Sequence, residues 1–309
     1  MRRACAFYLL LVAAVLVVGC SGGAPLEEAV GGSADAGSRP EAVAVATSAA
    51  EDQPESTVGV ASSDAAEDGS GAARPFGSEP RAEGGSGFVA DTLLAVRHGS
   101  HGDFERVVLD LGAGEEPAGA VPRWTLDSPE GDRLLRVDLP STNATAVSDG
   151  GFGDGLLRSF HVVRAPEGGM FVDVLARGGF RYRVLEMNDP ARLVVDLQPT
   201  GARPKEPPPA LGGQTVLVEP RPGARVSDPL TVSGYSRNFE ASNTIVLKND
   251  EGDTLVRETV LANDWSSTWG YFEATLDLPP LPEKGTLSVG TESARDGSFE
   301  GVEILVRGG

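Results

Sequence analysis

From Phe88 onward the chain is cut into apolar runs of strand length, and no stretch sustains a helical period. Seven runs come first: Thr92 to Arg97, Phe104 to Leu111, Leu134 to Leu139, Leu156 to Arg164, Met170 to Ala176, Phe180 to Glu186 and Arg192 to Leu197. Gly, Pro, Asp and Asn bound them, with Gly150-Gly151 and Asp189-Pro190 as turn signals, and Phe180-Arg181-Tyr182-Arg183-Val184 alternates as a half-buried strand does. Seven more follow after Gln214: Val216 to Glu219, Leu230 to Tyr235, Thr244 to Lys248, Thr254 to Leu261, Tyr271 to Leu278, Thr286 to Thr291 and Glu300 to Val306. Asn249-Asp250-Glu251-Gly252-Asp253 and Asp296-Gly297 read as hairpin turns. The expectation is an all-β protein of two β-sandwich domains, at residues 88–199 and 214–309. Between them, residues 200–213 hold Pro207-Pro208-Pro209, which predicts a semi-rigid extended linker.

The two cysteines decide how these domains are held together. Cys5 lies in the N-terminal segment that reads as a cleavable signal, so its removal leaves Cys20 alone and no internal disulfide is possible. Burial must then supply the stability, which calls for domains of ordinary size. One cysteine and three histidines do not make a structural zinc site. A formal charge of −19 excludes nucleic acid and anionic head groups as natural partners, because phosphate backbones are held by basic stripes.

The N-terminus has Arg2-Arg3, an apolar run from Phe7 to Val18, then Gly19-Cys20, the layout of a secretory signal. That run is well short of the ~20 residues a spanning helix needs. Val17-Val18-Gly19-Cys20 resembles the lipobox of bacterial lipoproteins, although that family prefers Leu where Val17 stands. The resemblance implies cleavage between Gly19 and Cys20, with residues 1–19 as signal peptide. It also implies diacylglycerol and palmitate-type acylation on Cys20, and residence on the extracytoplasmic face of the cell membrane. Residues 20–87 are mostly Ala, Gly, Glu, Ser, Asp and Pro without apolar periodicity, which predicts a disordered acidic tether. A flexible chain of roughly 65 residues reaches about 40–50 Å.

Arg106-Val107-Val108-Leu109-Asp110-Leu111 returns as Arg192-Leu193-Val194-Val195-Asp196-Leu197, with a looser copy at Leu135-Arg136-Val137-Asp138-Leu139. Together with Val96-Arg97-His98, Gly102-Asp103-Phe104-Glu105 and Asn188-Asp189-Pro190-Ala191, these strands resemble the AMIN domain family, in particular its branch in actinobacterial lipoproteins. That resemblance covers most of 88–199 and implies a β-sandwich of the cell envelope associated with peptidoglycan, without catalytic residues. Val218-Glu219-Pro220-Arg221-Pro222-Gly223, then Val226, Pro229-Leu230-Thr231-Val232-Ser233-Gly234 and Glu292-Ser293-Ala294-Arg295-Asp296-Gly297, resemble the immunoglobulin-like domain of bacterial spore germination over nearly all of 214–306.

His98, His101 and Asp103 offer two nitrogens and one oxygen on a Gly-rich loop, a poor scaffold for metal, so no metal or other cofactor is expected. Ser159 and His161 share a strand face, but no G-x-S-x-G elbow accompanies them and the segment alternates as an ordinary strand does. Asp110, Asp138, Asp173 and Asp196 read as solvent-facing partners for arginine rather than paired catalytic carboxylates. No catalytic set is expected. Trp265, Trp269, Tyr271 and Phe272, beside Asn263 and Asp264, form the one local aromatic cluster; the first three are the candidate ligand-binding residues, with core packing as their other use. The expected function is a non-enzymatic, lipid-anchored envelope protein presenting two binding modules to peptidoglycan or an envelope partner. The alternatives are a scaffold of a sporulation- or germination-type complex and, behind it, a wall hydrolase with an unrecognised site.

Overall fold

The computed structural model describes residues 75–129, 133–280, 283–293 and 295–309. The expected cleavage site, Cys20 and most of the expected tether lie outside these residues. Among the described residues every regular element is a strand except one short 3-10 turn, Phe239–Ala241, and no helix is long and apolar enough to cross a membrane.

The first sandwich comprises β1 (Arg81–Gly84), β2 (Thr92–Ser100), β3 (Glu105–Ala113), β4 (Glu116–Pro117), β5 (Trp124–Asp127), β6 (Leu134–Leu139), β7 (Ala144–Thr145), β8 (Asp149–Gly151), β9 (Leu157–Arg164), β10 (Met170–Ala176), β11 (Phe180–Met187) and β12 (Arg192–Pro199). One sheet runs β1-β5-β6-β10-β9 and the other β11-β12-β3-β2-β7. Between them the inward residues interlock: Leu93, Leu109, Leu193 and Leu197 from one sheet, Leu126, Leu135, Leu139, Phe160 and Val172 from the other.

The fold begins earlier than Phe88. Arg81–Gly84 pairs antiparallel with Trp124–Asp127, and Phe76 packs on Phe104 at 5.8 Å, so the last part of the expected tether belongs to the sandwich. Composition hid this, because a short edge strand needs little apolar area of its own once its neighbour is buried.

The second sandwich comprises β13 (Ala210–Gly212), β14 (Thr215–Glu219), β15 (Arg225–Val226), β16 (Leu230–Ser236), β17 (Ser242–Asn249), β18 (Thr254–Leu261), β19 (Trp269–Leu276), β20 (Gly285–Glu292) and β21 (Phe299–Gly308). Its sheets are β19-β16-β14-β13 and β15-β21-β20-β17-β18. Leu217, Val232 and Phe272 on one face meet Ile245, Leu247, Leu287, Val289 and Ile304 on the other.

The two sandwiches are not held apart by a spacer. The end of the expected linker is strand β13, paired with β14, and the Pro207 carbonyl accepts from Arg221 Nη1 at 3.2 Å. More decisively, β19 adds in parallel to β9, with Trp269 opposite Val163 and Gly270 opposite Arg164. One ten-stranded sheet therefore passes through both sandwiches. Beside this seam Val163, Phe171, Val216, Tyr235 and Trp269 form a third apolar cluster that belongs to neither domain alone.

The repeated Arg–Asp motif also finds its reason. β12 and β3 are antiparallel neighbours, so Arg106 lies opposite Asp196 and Arg192 opposite Asp110. Two strands with the same spacing of Arg and Asp satisfy each other when they run in opposite directions. Two of the four aspartates are not solvent-facing as expected, while Asp110 and Asp138 stay partly exposed. Asp196 and Asp173 are fully buried, and for these two and Asp110 the pairing with arginine holds as read.

Candidate functional site at the junction of the sandwiches

A clamp loop, Asn263–Thr268, directly before β19, makes most of the polar contacts across the seam. Asn263 Nδ2 donates to the carbonyls of Arg164 and Ala165 at 3.1 and 3.2 Å, while its Oδ1 accepts the N–H of Tyr271 at 2.8 Å. Asp264 accepts from Arg164 Nη2 at 3.2 Å and from the N–H groups of Trp265, Ser266 and Ser267. Burial would raise the Asp264 carboxyl, but those N–H donors and Arg164 outweigh it and lower its pKa. Thr268 Oγ1 donates to the Val162 carbonyl at 2.6 Å. The loop closes so tightly that a Cβ on Gly270 would lie 2.0 Å from the Asp264 carbonyl oxygen, so only glycine fits there.

Trp269, one of the expected ligand-binding residues, is 5% exposed and sits in the junction cluster. Its Nε1 donates to Asp149 Oδ2 at 3.0 Å, and Arg237 Nη1 reaches Ser148 Oγ at 3.0 Å from the same side. Its ring stands edge-on to His161 at 4.7 Å and to Tyr235 at 5.8 Å. Tyr271 is half-buried and donates its hydroxyl to Glu273 at 2.5 Å; burial and that carboxylate push it up to about 12. Trp265 alone of the three faces outward. It is 38% exposed and meets Phe239, itself 70% exposed, edge to face at 5.3 Å. Phe239 lies in the short 3-10 turn, and Leu261, 66% exposed, ends β18 at the same corner, where the Ala262 N–H bonds the Ala241 carbonyl. Sequence distance concealed Phe239, which stands 26 residues before Trp265.

Beneath the corner the seam holds buried ionisable groups. Arg136 makes a bidentate pair with Asp173, both bonds 2.7 Å, and lies over the Phe171 ring at 3.9 Å. Burial alone would lower the guanidinium, but the Asp173 charge overrides it and raises it. The Tyr235 hydroxyl is fully buried without a hydrogen bond of good geometry. Burial, with the Asp173 charge adding to it, holds this hydroxyl well above its ordinary range. Burial drives His161 down to about 4, against the pull of Asp149 and Asp173, so it is neutral near pH 7.

Ser159 and His161 share a strand face as expected, but Ser159 Oγ makes no hydrogen bond to the imidazole. The expected metal-like trio is dispersed. His98 Nε2 bonds Glu105 Oε2 at 2.8 Å, the His101 ring stacks on Phe104 at 4.9 Å, and Asp103 accepts from Gln198 at 2.9 Å. Among the described residues no group of three His, Cys, Asp or Glu side chains is placed to hold a metal ion.

The junction is thus built for rigidity, and its outward feature is the Phe239–Trp265 corner. No curated protein and no solved structure matches the chain. Residues 215–298, which carry β14 to β20 and the whole clamp loop, match the model of the immunoglobulin-like domain of bacterial spore germination, which is not a known enzyme domain.

Proposed function

We propose that the chain is a non-enzymatic envelope protein, anchored to the outer face of the cell membrane through a lipid on Cys20, whose joined sandwiches bind peptidoglycan. The observation that carries this reading is the exposed Phe239–Trp265 pair on a corner fixed by the clamp loop. Two rings held at fixed angle offer an apolar face on which a sugar ring stacks with little ordering cost. Attachment near the wall raises the local concentration of polymer, so weak contacts suffice. The resemblance of 88–199 to AMIN domains points to the same surroundings.

Retention of the full chain, solubilised in mild detergent, on purified peptidoglycan tests this. It should exceed that of an unrelated acidic protein, and Phe239→Ala with Trp265→Ala should lower it by about tenfold without changing the unfolding transition. Equal retention of the unrelated protein would overturn wall binding. Anchoring is tested separately by Cys20→Ser, which should move the protein from the membrane to the soluble fraction; continued membrane residence would remove the lipid from the scheme.

The match of 215–298 to a germination-type domain favours a second reading, a scaffold lipoprotein whose corner docks a protein. A photo-crosslinking residue at Trp265 that captured a defined protein, with no wall retention, would select it.

A further inference from the structure

We propose that Glu240 makes the aromatic corner selective for a sugar that carries a protonated amine, a selectivity that rests on the reading of Phe239 and Trp265 as a stacking platform. Glu240 is a backbone outlier. Its φ of 54° and ψ of 26° lie in the left-handed region, and Ala241 follows with a φ of 58°. Among the described residues only three other than glycine have positive φ, and two of them are these neighbours. Such a backbone strains any residue with a Cβ, whereas glycine adopts it freely.

Buried amides hold the strained turn in place. Asn238 Nδ2 donates to Thr215 Oγ1 at 2.9 Å and to Asn243 Oδ1 at 2.8 Å, and Asn243 Nδ2 donates to the Ala241 carbonyl at 3.0 Å. Both asparagines are buried. The Glu240 side chain does nothing comparable. It is exposed, and among the described residues it takes part in no hydrogen bond or ion pair. A strained residue whose side chain serves no contact within the fold points to use outside it.

The rings beside it give that use a chemistry. Phe239 and Trp265 stand at 72° with centroids 5.3 Å apart, so they form two walls of a notch rather than a flat shelf, with Leu261 exposed at the same corner. Aromatic faces are negative and attract a cation, and the carboxylate next to Phe239 in the chain adds a full charge of the same sign. The arginines of the neighbouring segments are engaged elsewhere: Arg164 pairs with Asp264, Arg237 with Asp149 and Arg257 with Glu292. Residues 214–309 hold fifteen Asp and Glu against eight Arg and Lys, so the field over the second sandwich draws cations and repels anionic polymer. A neutral sugar gains only the stack. An amino sugar with an unacylated nitrogen also gains attraction to the rings and a charge-assisted hydrogen bond to Glu240. Acylation leaves the ring and removes the charge.

Titration of the full chain in mild detergent with a glucosamine oligomer, and in parallel with an N-acetylglucosamine oligomer of equal length at the same ionic strength, tests this. The free-amine oligomer should bind roughly tenfold tighter. Glu240→Gln, which keeps the size of the side chain and removes its charge, should lower that affinity to the level of the N-acetylated oligomer. Glu240→Gly should do the same while raising the urea midpoint, because the left-handed strain is relieved. Equal affinity of the parent for the two oligomers, or the parent preference kept in either variant, would overturn the proposal and leave sugar stacking standing. Lost preference together with a lower midpoint in Glu240→Gly would make Glu240 a scaffold residue and overturn the proposal as well. Binding of neither oligomer by the parent would overturn the platform and this selectivity with it.

Discussion

Asp173 and Asp196 occupy the same kind of position and are buried by different means. Each lies on the outer face of its sheet, each is fully buried, and each is held by bidentate arginine from the neighbouring strand: Arg136 for Asp173, Arg106 for Asp196. Asp196 also takes Arg183 at 2.8 Å, and the rings of Phe76 and Phe104 cover that arginine at 4.6 and 5.1 Å. All of its cover comes from the first sandwich. Asp173 lies beneath Tyr235, which the second sandwich supplies. The same Arg–Asp pairing thus serves inside a domain in one sheet and between domains in the other. A buried ion pair contributes little net stability over a well-packed apolar pair, but removing one partner leaves a stranded charge and is costly.

This contrast can be broken first by deleting each carboxylate. Asp196→Ala strands two arginines and should cost about 5 kcal/mol, confined to the transition reported by Trp124. Asp173→Ala should cost about 3 kcal/mol and, in urea denaturation, separate the transition reported by Trp124 from that reported by Trp269. If both variants kept a single coincident transition, the difference between the two aspartates would be refuted.

Acid sharpens the same contrast through His161, which lies on the Asp173 side only. Its folded pKa, about 4, is below the ordinary 6.5, so the unfolded chain takes up its proton first as pH falls. The stability tied to the neutral imidazole is fully present above pH 6.5 and lost as pH drops from there to about 4. The loss should total about 3 kcal/mol, and His161→Phe should remove this part of the pH dependence of the urea midpoint. A variant with the parent slope between those pH values would contradict the assignment.

A smaller effect probes the seam itself. Thr268→Val deletes the bond to the Val162 carbonyl and should cost about 1–2 kcal/mol, with faster hydrogen exchange at the N–H groups of β19 and unchanged exchange in β12.

The strands were legible because their signal is local: period two, and turn residues at the ends. Seams are not local. The β9–β19 ladder is two residue pairs long and has no motif, and the β13 end of the linker reads as polyproline until a partner strand is known. One trace of the junction does stand in the sequence. Met170–Ala176 is buried along its whole length, and alternation places Phe171 and Leu175 on what should have been a wet face. A strand apolar on both faces needs cover on both. Trp269 and Trp265 are four residues apart and similar in context, yet one became core and the other surface, because the strand begins between them. The buried state of Asp173 and Asp196 was illegible for the same reason: pairing can be read from spacing, cover cannot.

The parallel addition of β19 also decides what happens when the domains are separated. In the intact chain β8 and β19 together occupy the edge of β9 that does not face β10, so that edge offers few free backbone groups. Cut at the linker, the first sandwich would present an open edge at Val163 and Arg164, with Val163 and Phe171 bare beside it. Such a fragment would pair with its own copies. The second sandwich is therefore the cap on that edge of the first.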